Sequence, residues 1–351
     1  MYETRLTEDL RTQKKEEKSH SKTVISWVIH NLKFIFIPGY HLEDLYEKQR
    51  QYELKTGKRR RTKRYKRSLF IYALVAILFL ITLAVFQHWI SPYTYLQAYV
   101  YEGLNVDIEW YFPPSLEHPL GQTFMGFDVL ARIVFGTRPV LVFTVASTAI
   151  AILIGIVIGA ISGYYGGWLD VIIMRIMDII LSFPGVIFAI IFIIIWGGDF
   201  IFLIIIYSII GTPYFARIIR TNVIKEKELP YITAGKVAGA KDKRILFRHI
   251  LPNCVQSLTI ATSYNIGRNI LSLAVLGFLR VGDVIKTSSY IIMNNIGWIE
   301  WGFDIALSVD MFSIAPWAAL YPSIIILIAV SGFLLLGDSL SDISLLKQET
   351  L

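Results

Sequence analysis

The chain has 351 residues, of which 54% are hydrophobic and 17% charged, and its mean hydropathy is +0.54. This balance excludes an ordinary soluble protein, because the apolar residues lie in long blocks rather than at amphipathic spacing. The net charge of +7 does not indicate nucleic-acid binding, since the basic residues flank apolar runs as the positive-inside rule expects. A single cysteine, Cys254, excludes an internal disulfide framework and indicates a small packing residue. The sequence therefore predicts an all-α polytopic membrane protein.

Residues 1–68 form a hydrophilic extension that we place in the cytoplasm. One apolar patch, residues 24–38, is interrupted by polar side chains and is shorter than the roughly 20 residues that cross a bilayer. We interpret it as an interfacial amphipathic helix on the cytoplasmic face, and a re-entrant or partner-binding segment is the alternative. We expect no signal peptide, because the first 20 residues lack an apolar core.

A dense basic run, residues 58–67, directly precedes the first long apolar segment. Its position indicates that it holds the N-terminus in the cytoplasm against anionic lipid, and a nucleic-acid patch is the weaker interpretation. We expect about six transmembrane helices within a domain of residues 69–342, followed by a cytoplasmic tail at 343–351. The expected spans are residues 69–87, 139–161, 171–196, 200–216, 254–278 and 318–336.

The segments between these spans are assigned from their charges and aromatic residues. Residues 88–138 contain no lysine and are expected to be external, with His118-Pro-Leu-Gly121 followed by an Asp128–Arg132 pair at i,i+4 spacing. We interpret this set as an ordered external elbow, because no nucleophile stands beside it at a catalytic spacing. Residues 280–317 are also expected to be external, with Trp298 and Trp301 at the membrane interface.

Small and polar residues mark special positions within the spans. Gly155, Gly159 and Gly163 form a small-residue ridge for close helix packing within the bundle or against a sister subunit, and homodimerisation is the alternative. Arg175 and Asp178 share a helical face, which indicates an orienting ion pair or a charge in a translocation path.

Other residues are candidates for the path or for its gate. Pro184 is expected to kink the third span, and Gly211 and Pro213 to loosen the fourth. Asn265 and Arg268 face the pathway or pack against a partner subunit.

The most informative segment is the cytoplasmic loop Glu228–Asn253. Pro230 suits the first turn of a short helix, and the residues after it are small. Nine lysines and arginines between residues 217 and 249 place this loop inside the cell. A small, basic helix at the membrane surface suits docking into a groove of a partner protein, and an ordinary basic loop is the alternative.

This loop resembles the EAA loop of ABC-transporter permeases, specifically the second-permease type of the dipeptide, oligopeptide and nickel importers. The matching positions in the helix are Tyr231, Thr233, Ala234, Gly235, Gly239 and Ala240, and the match continues through Ile245 and His249–Asn253. Thr233 stands where the family usually has Glu, and Gly235 where it usually has a second Ala. Three further segments resemble the family: the elbow at 118–132, Gly163-Tyr-Tyr-Gly-Gly167, and the end at Gly337–Asp342.

The resemblance implies a type I importer permease in a prokaryotic cell membrane, with both termini cytoplasmic. Its partners would be a homologous second permease, two ATP-binding subunits and an extracytoplasmic solute-binding protein. The residues Tyr231 to Ala240 would be a coupling helix, pushed when the ATPase dimer closes. Peptides are the implied substrates, and some relatives carry nickel chelates or oligosaccharides.

Motifs for chemistry are missing from the sequence. It has no G-x-x-x-x-G-K-[ST], no H-E-x-x-H and no G-x-S-x-G, so we expect neither enzymatic activity nor a cofactor or metal of its own. An ion-coupled transporter is a remote alternative, since the spans offer little acidic charge beyond Asp178. An intramembrane enzyme lacks any convergent catalytic set.

Overall fold

The computed structural model describes residues 67–95, 98, 110–196, 199–279 and 299–349. The expected interfacial helix at 24–38, most of the basic run and Trp298 lie outside these residues. The described residues are mainly helical, apart from loops and one isolated bridge between Gln122 and Asp128. In chain order the helices are α1 (Arg67–Val85), α2 (Gln87–Ile90), α3 (Val129–Tyr165), α4 (Gly167–Ser182), α5 (Gly185–Trp196), α6 (Phe200–Lys227), α7 (Pro230–Val237), α8 (Asp242–Ile245), α9 (Leu251–Phe278), α10 (Trp301–Ser308) and α11 (Pro316–Glu349).

Four of these helices, α1, α3, α6 and α11, are long and apolar enough to cross a membrane. The pair α4 and α5 makes a fifth if it is counted as one span. The helix α9 is as long as α6, but polar residues such as Asn265, Arg268 and Asn269 keep it out of this group. The all-α polytopic fold is confirmed, with four or five clearly apolar spans in the described chain against the six expected.

The predicted third span, residues 171–196, is not one continuous helix. The axes of α4 and α5 are bent by 83° at a short break. Phe183 has extended backbone angles and Pro184 follows it, which is the conformation that a residue before proline prefers. The expected kink at Pro184 is therefore a sharp break between two helices.

The second span begins earlier than residue 139. Asp128 caps α3, because its Oδ1 accepts a hydrogen bond of 2.7 Å from the Ala131 amide. Pro139 lies inside the helix rather than at its start. This cap fixes the start of α3, a helix of 37 residues, within the segment that was assigned to the external elbow.

The glycine ridge of α3 packs on α6 of the same chain. A Cβ at Gly155 would lie 2.6 Å from Phe215 Cβ, and one at Gly163 would lie 2.8 Å from the Arg220 carbonyl oxygen. Gly159 makes an equally close approach to Ala216. The ridge thus brings two helix backbones into contact, which is the packing within the bundle that the sequence predicted.

The predicted ion pair between Asp128 and Arg132 is wrong, because each residue pairs with a different side chain. Asp128 pairs with His118 Nδ1 at 3.0 Å, whereas Arg132 pairs with Asp304 of α10. Both carboxylate oxygens of Asp128 are engaged, Oδ1 by the Ala131 amide and Oδ2 by His118.

Trp301 does not lie at an interface: its side chain is 1% exposed and donates from Nε1 to the Ile133 carbonyl at 3.1 Å. It fits against Gly136, where a Cβ would lie 2.8 Å from Trp301 Nε1. The buried ring and the Arg132–Asp304 pair together fix α10 on the N-terminal end of α3.

Candidate functional site

Residues at both ends of the short helix α7 determine where it starts and stops. Pro230 occupies its first turn, where the missing amide hydrogen costs little. At the other end, the Gly239 amide donates to the Lys236 carbonyl at 2.9 Å and the Ala240 amide to the Gly235 carbonyl at 3.0 Å. Gly239 has φ +81°. A helix end closed by these two hydrogen bonds therefore requires a residue that adopts the left-handed backbone conformation at this position. The sequence therefore defines a helix of two turns with a fixed end.

One side of α7 is anchored on the bundle. Ile232 is 2% exposed and lies in an apolar cluster with residues of α3, α6 and α9. The members of this cluster are Ala160, Tyr164, Ile219, Val223, Ile232, Ile245, Leu246, Ile250 and Cys254. Burying one isoleucine contributes about 2–3 kcal/mol, enough to hold a short helix that is unstable alone.

The opposite side of α7 is exposed and carries small residues. Thr233 and Ala234 are exposed, and Val237 is 86% exposed. A Cβ at Gly235 would meet no heavy atom outside its own helix backbone within 4 Å. Packing against the rest of the described chain thus does not require a glycine at this position. We call the exposed residues Thr233, Ala234 and Val237, together with the half-buried Gly235 beside them, the docking face.

A polar cluster fixes the start of α7. Tyr231 Oη donates to Glu226 Oε2 at 2.5 Å, and Asn253 Nδ2 donates to Tyr231 Oη at 3.0 Å. Burial and the bond to Glu226 raise the pKa of Tyr231, so the phenol stays protonated and remains a donor. Tyr231 therefore joins the helix to the end of α6 and the start of α9. The role of Glu226 was missed, because no sequence pattern links a helix end to a residue five positions later.

The helix α8 continues into α9 through a π-helical turn, Leu246–Ile250. Residues from Asp242 to Phe278 are thus helical without interruption. This turn contains Arg248 and His249, both exposed, while Leu246 and Ile250 are buried beneath them. The second half of the loop is consequently part of a long helix rather than a flexible connection.

The gate candidates are not gathered at one place. Asp178 pairs with Arg217 of α6 at 2.5 Å rather than with Arg175, and both side chains are about half exposed (49% and 51%). Pro184 lies at the break between α4 and α5. The helix α6 runs without a break through Gly211 and Pro213, both buried.

Asn265 and Arg268 of α9 differ in their exposure. Asn265 is 1% exposed, and its Oδ1 accepts from Thr148 Oγ1 of α3 at 2.9 Å. Asn269 donates to Ser147, Thr148 and Asn265, so these side chains form one buried polar cluster. Arg268 is exposed, and its guanidinium carbon lies 5.0 Å from the centre of the Tyr214 ring. Asn265 thus joins α3 to α9 within the chain, while Arg268 is open to the surroundings.

No group of three or more histidine, cysteine, aspartate or glutamate side chains suited to a metal ion occurs among the described residues. The arrangement offers exposed surface for contact, ion pairs and helix ends rather than a catalytic cluster.

Residues 155–345 match the family model described as "Binding-protein-dependent transport system inner membrane component". The chain belongs to this family. It is a membrane-spanning permease of a binding-protein-dependent transport system, and the resemblance found in its loop and turn motifs is confirmed.

Individual relatives of this permease extend the similarity over most of the chain. It is 36% identical over 266 residues to the glutathione transport system permease protein GsiD of Pectobacterium atrosepticum, which covers 76% of this chain and 83% of the relative. It is 34% identical over 277 residues to the dipeptide transport system permease protein DppC of Alkalihalophilus pseudofirmus, covering 79% and 85%. The GsiD protein of Escherichia coli O157:H7 is 34% identical over 285 residues, covering 80% and 87%.

Proposed function

We propose that this permease couples ATP hydrolysis in partner subunits to peptide import, and that the docking face of α7 is its contact with an ATP-binding subunit. The observation that carries the proposal is the contrast between the two sides of α7. Ile232 fixes the helix on the bundle, while Thr233, Ala234 and Val237 are exposed and the half-buried Gly235 has open space around its Cβ position. A surface of this shape allows the backbone of the helix to approach a partner closely, as small residues do in helix contacts.

The partners follow from the family. The complete importer would hold this chain, a homologous second permease, two ATP-binding subunits and an extracytoplasmic solute-binding protein. In the proposed arrangement both termini and α7 lie in the cytoplasm, where ATP is available. The basic residues that follow α7 support this side, since positive charge concentrates in cytoplasmic loops.

Peptides are the proposed substrates. Relatives of this chain are named for transport of dipeptides and of glutathione, which is itself a small peptide. Import of nickel chelates or oligosaccharides by the same architecture is the alternative. Uptake by membrane vesicles of labelled alanyl-alanine, against a labelled oligosaccharide and nickel–histidine, separates these cargoes, and uptake of only the latter two would contradict the peptide assignment.

A change at Gly235 tests the docking face. Because nothing in the described chain fills this position, Gly235→Trp should insert into the membrane normally but reduce the recovery of the ATP-binding subunit with the complex at least tenfold. Gly235→Ala is the matched control, since the usual family residue at this place is alanine and alanine favours a helix. Co-purification of the subunits measures both variants.

The outcomes separate folding from docking. Normal recovery of the permease with loss of the ATP-binding subunit supports the proposed contact. Wild-type recovery of the ATP-binding subunit with Gly235→Trp would show that the contact lies elsewhere.

A further inference from the structure

The cytoplasmic end of α3 carries a tyrosine that the family resemblance leaves without a role. Tyr164 is 4% exposed and stands at the end of the helix, directly before the turn at Gly166. The Gly166 amide closes α3 by donating to the Ser162 carbonyl at 3.0 Å, and Gly166 itself has φ +66°. The position of Tyr164 is therefore set by the helix end rather than by a loop.

Tyr164 contacts three successive elements of the cytoplasmic loop. Its Oη donates to Asp242 Oδ1 of α8 at 2.5 Å, and its main-chain carbonyl accepts from Lys227 Nζ, at the end of α6, at 2.6 Å. Its ring lies 5.4 Å from Lys227 Nζ and 5.8 Å from Lys236 Nζ of α7. These contacts combine a hydrogen bond to a charged acceptor with two cation–π interactions.

The turn that follows Tyr164 is held to α6 by an ion pair. Arg220 of α6 donates to both carboxylate oxygens of Asp170, at 2.5 and 2.6 Å, and Ser162 donates to the same carboxylate. A two-point arginine–carboxylate pair fixes orientation as well as distance. The turn after Tyr164 is thus tied to α6, and the residue cannot follow the loop independently of α3.

We propose that Tyr164 is a positioning residue that transmits movement of the coupling helix α7 and of α8 to α3. This inference rests on the proposed coupling function. α3 is far from the loop along the chain, since 78 residues separate Tyr164 from Asp242. The Tyr164–Asp242 contact is consequently a direct polar link between α8 and this helix, alongside the apolar cluster that holds Ile232 and Ile245. Removing the Tyr164–Asp242 bond should let α7 and α8 move while α3 lags behind.

The test uses Tyr164→Phe in the complete importer, which removes Oη but keeps the ring and the main-chain carbonyl. We expect normal recovery of the ATP-binding subunit and near-normal ATP hydrolysis. Uptake of labelled alanyl-alanine per ATP hydrolysed should fall about tenfold, the size expected for losing one hydrogen bond to a charged group. Tyr165→Phe is the matched control, because Tyr165 is 58% exposed; it should behave as wild type.

Two further measurements separate transmission from simple support. Asp242→Ala should lower the same ratio, and the double variant should lose no more than either single one, because both remove one shared contact. Spin labels at Val157 and Lys241, both exposed, report whether α3 follows the loop. ATP should leave their distance unchanged in the wild type and shift or broaden it in Tyr164→Phe.

Each outcome has a distinct meaning. Loss of the ATP-binding subunit in Tyr164→Phe would show that the tyrosine only shapes the docking surface, which overturns the transmission role. Wild-type uptake and distances would overturn it as well, while leaving the proposed function intact. A wild-type complex that lacks any ATP-binding subunit would instead contradict the proposed function, and the transmission role with it.

Discussion

At the scale of single residues, the exposed side of α7 follows from which residues are constrained by the chain and which are not. Ile232 is buried and Gly239 needs a positive φ angle, so both are fixed by folding. Gly235 is constrained by neither packing nor backbone angle, since its surroundings are open and its φ is not positive. A small residue at such a position fits the docking contact that we propose for this face.

Gly239→Ala tests the cap of α7. A side chain at φ +81° costs about 1–2 kcal/mol, so we expect the last turn of α7 to unwind while the transmembrane bundle stays folded. Hydrogen exchange of the amides of Gly239 and Ala240 should rise at least fivefold in the variant. Gly239→Asn should show a smaller rise, because asparagine tolerates this backbone region better; unchanged exchange in both variants would contradict the role of the cap.

Residue-scale predictions failed where the true partner is far away in sequence. Spacing alone indicated Asp128 and Arg132, but the partner of Arg132 is Asp304, 172 residues away. Trp301 likewise read as an interfacial aromatic, although Gly136 leaves a space on α3 that accommodates its ring. Neither partner lies within one turn of the helix, which is the only range that a sequence spacing can report.

At the scale of elements, the break between α4 and α5 is the feature with the clearest mechanical meaning. Both helices contact α6, and the short connection between them holds Phe183 and Pro184. A connection of this kind can absorb changes in backbone angles while the helices stay intact. We expect the two helices to change their relative angle during transport.

Pro184→Ala tests this hinge. Removing the ring restores an amide donor and permits helical angles at Phe183, so α4 and α5 should straighten. We expect peptide uptake to fall about tenfold while the ATP-binding subunit is still recovered. Spin labels at the exposed Ile172 and Ile191 should report a longer distance in the variant; an unchanged distance with normal uptake would rule out a hinge at this proline.

The sequence predicted where the long helices lie, but it did not predict where they start, break or continue. Apolar blocks located the long helices, because their length and composition depend only on the local sequence. The helix through Leu246–Ile250 was not foreseen, since a π-helical turn is stabilised by the packing of Leu246 and Ile250 rather than by any local pattern. The start of α3 at Val129 was missed because Arg132, Gly136 and Arg138 interrupt the apolar residues before Pro139.

At the scale of the whole molecule, three buried carboxyl groups gather around the N-terminal end of α3 and the start of α10. Glu300, Asp304 and Asp128 are each at most 5% exposed, and Asp304 pairs with Arg132 while Asp128 contacts the His118 ring. Burial raises the pKa of Glu300 from 4.5 to about 8, although the Gly302 and Phe303 amides that bind it act in the opposite direction. Burial also raises the pKa of Asp304, against the lowering effect of Arg132.

The raised pKa of Glu300 predicts a stability that depends on pH. The folded chain retains the proton up to about pH 8, whereas the unfolded chain loses it near pH 4.5. The contribution of this group is thus fully present below pH 4.5 and is lost as the pH rises through about 8. We expect the unfolding temperature in lipid nanodiscs to fall over this range, and Glu300→Gln to fall less steeply.

Asp310→Asn is the control for this measurement, because Asp310 is an exposed carboxylate near the same helix. It should reproduce the pH dependence of the wild type. Parallel curves for the wild type and Glu300→Gln would show that Glu300 does not carry a shifted proton.

The contact between α3 and α6 has a consequence for how the two helices move. Helices that touch backbone to backbone at three successive turns have no side-chain layer to shear, so neither can slide along the other without collision. The two helices therefore behave as one rigid unit along this shared stretch. A displacement of one of them is expected to tilt both together, without rearranging the packing between them.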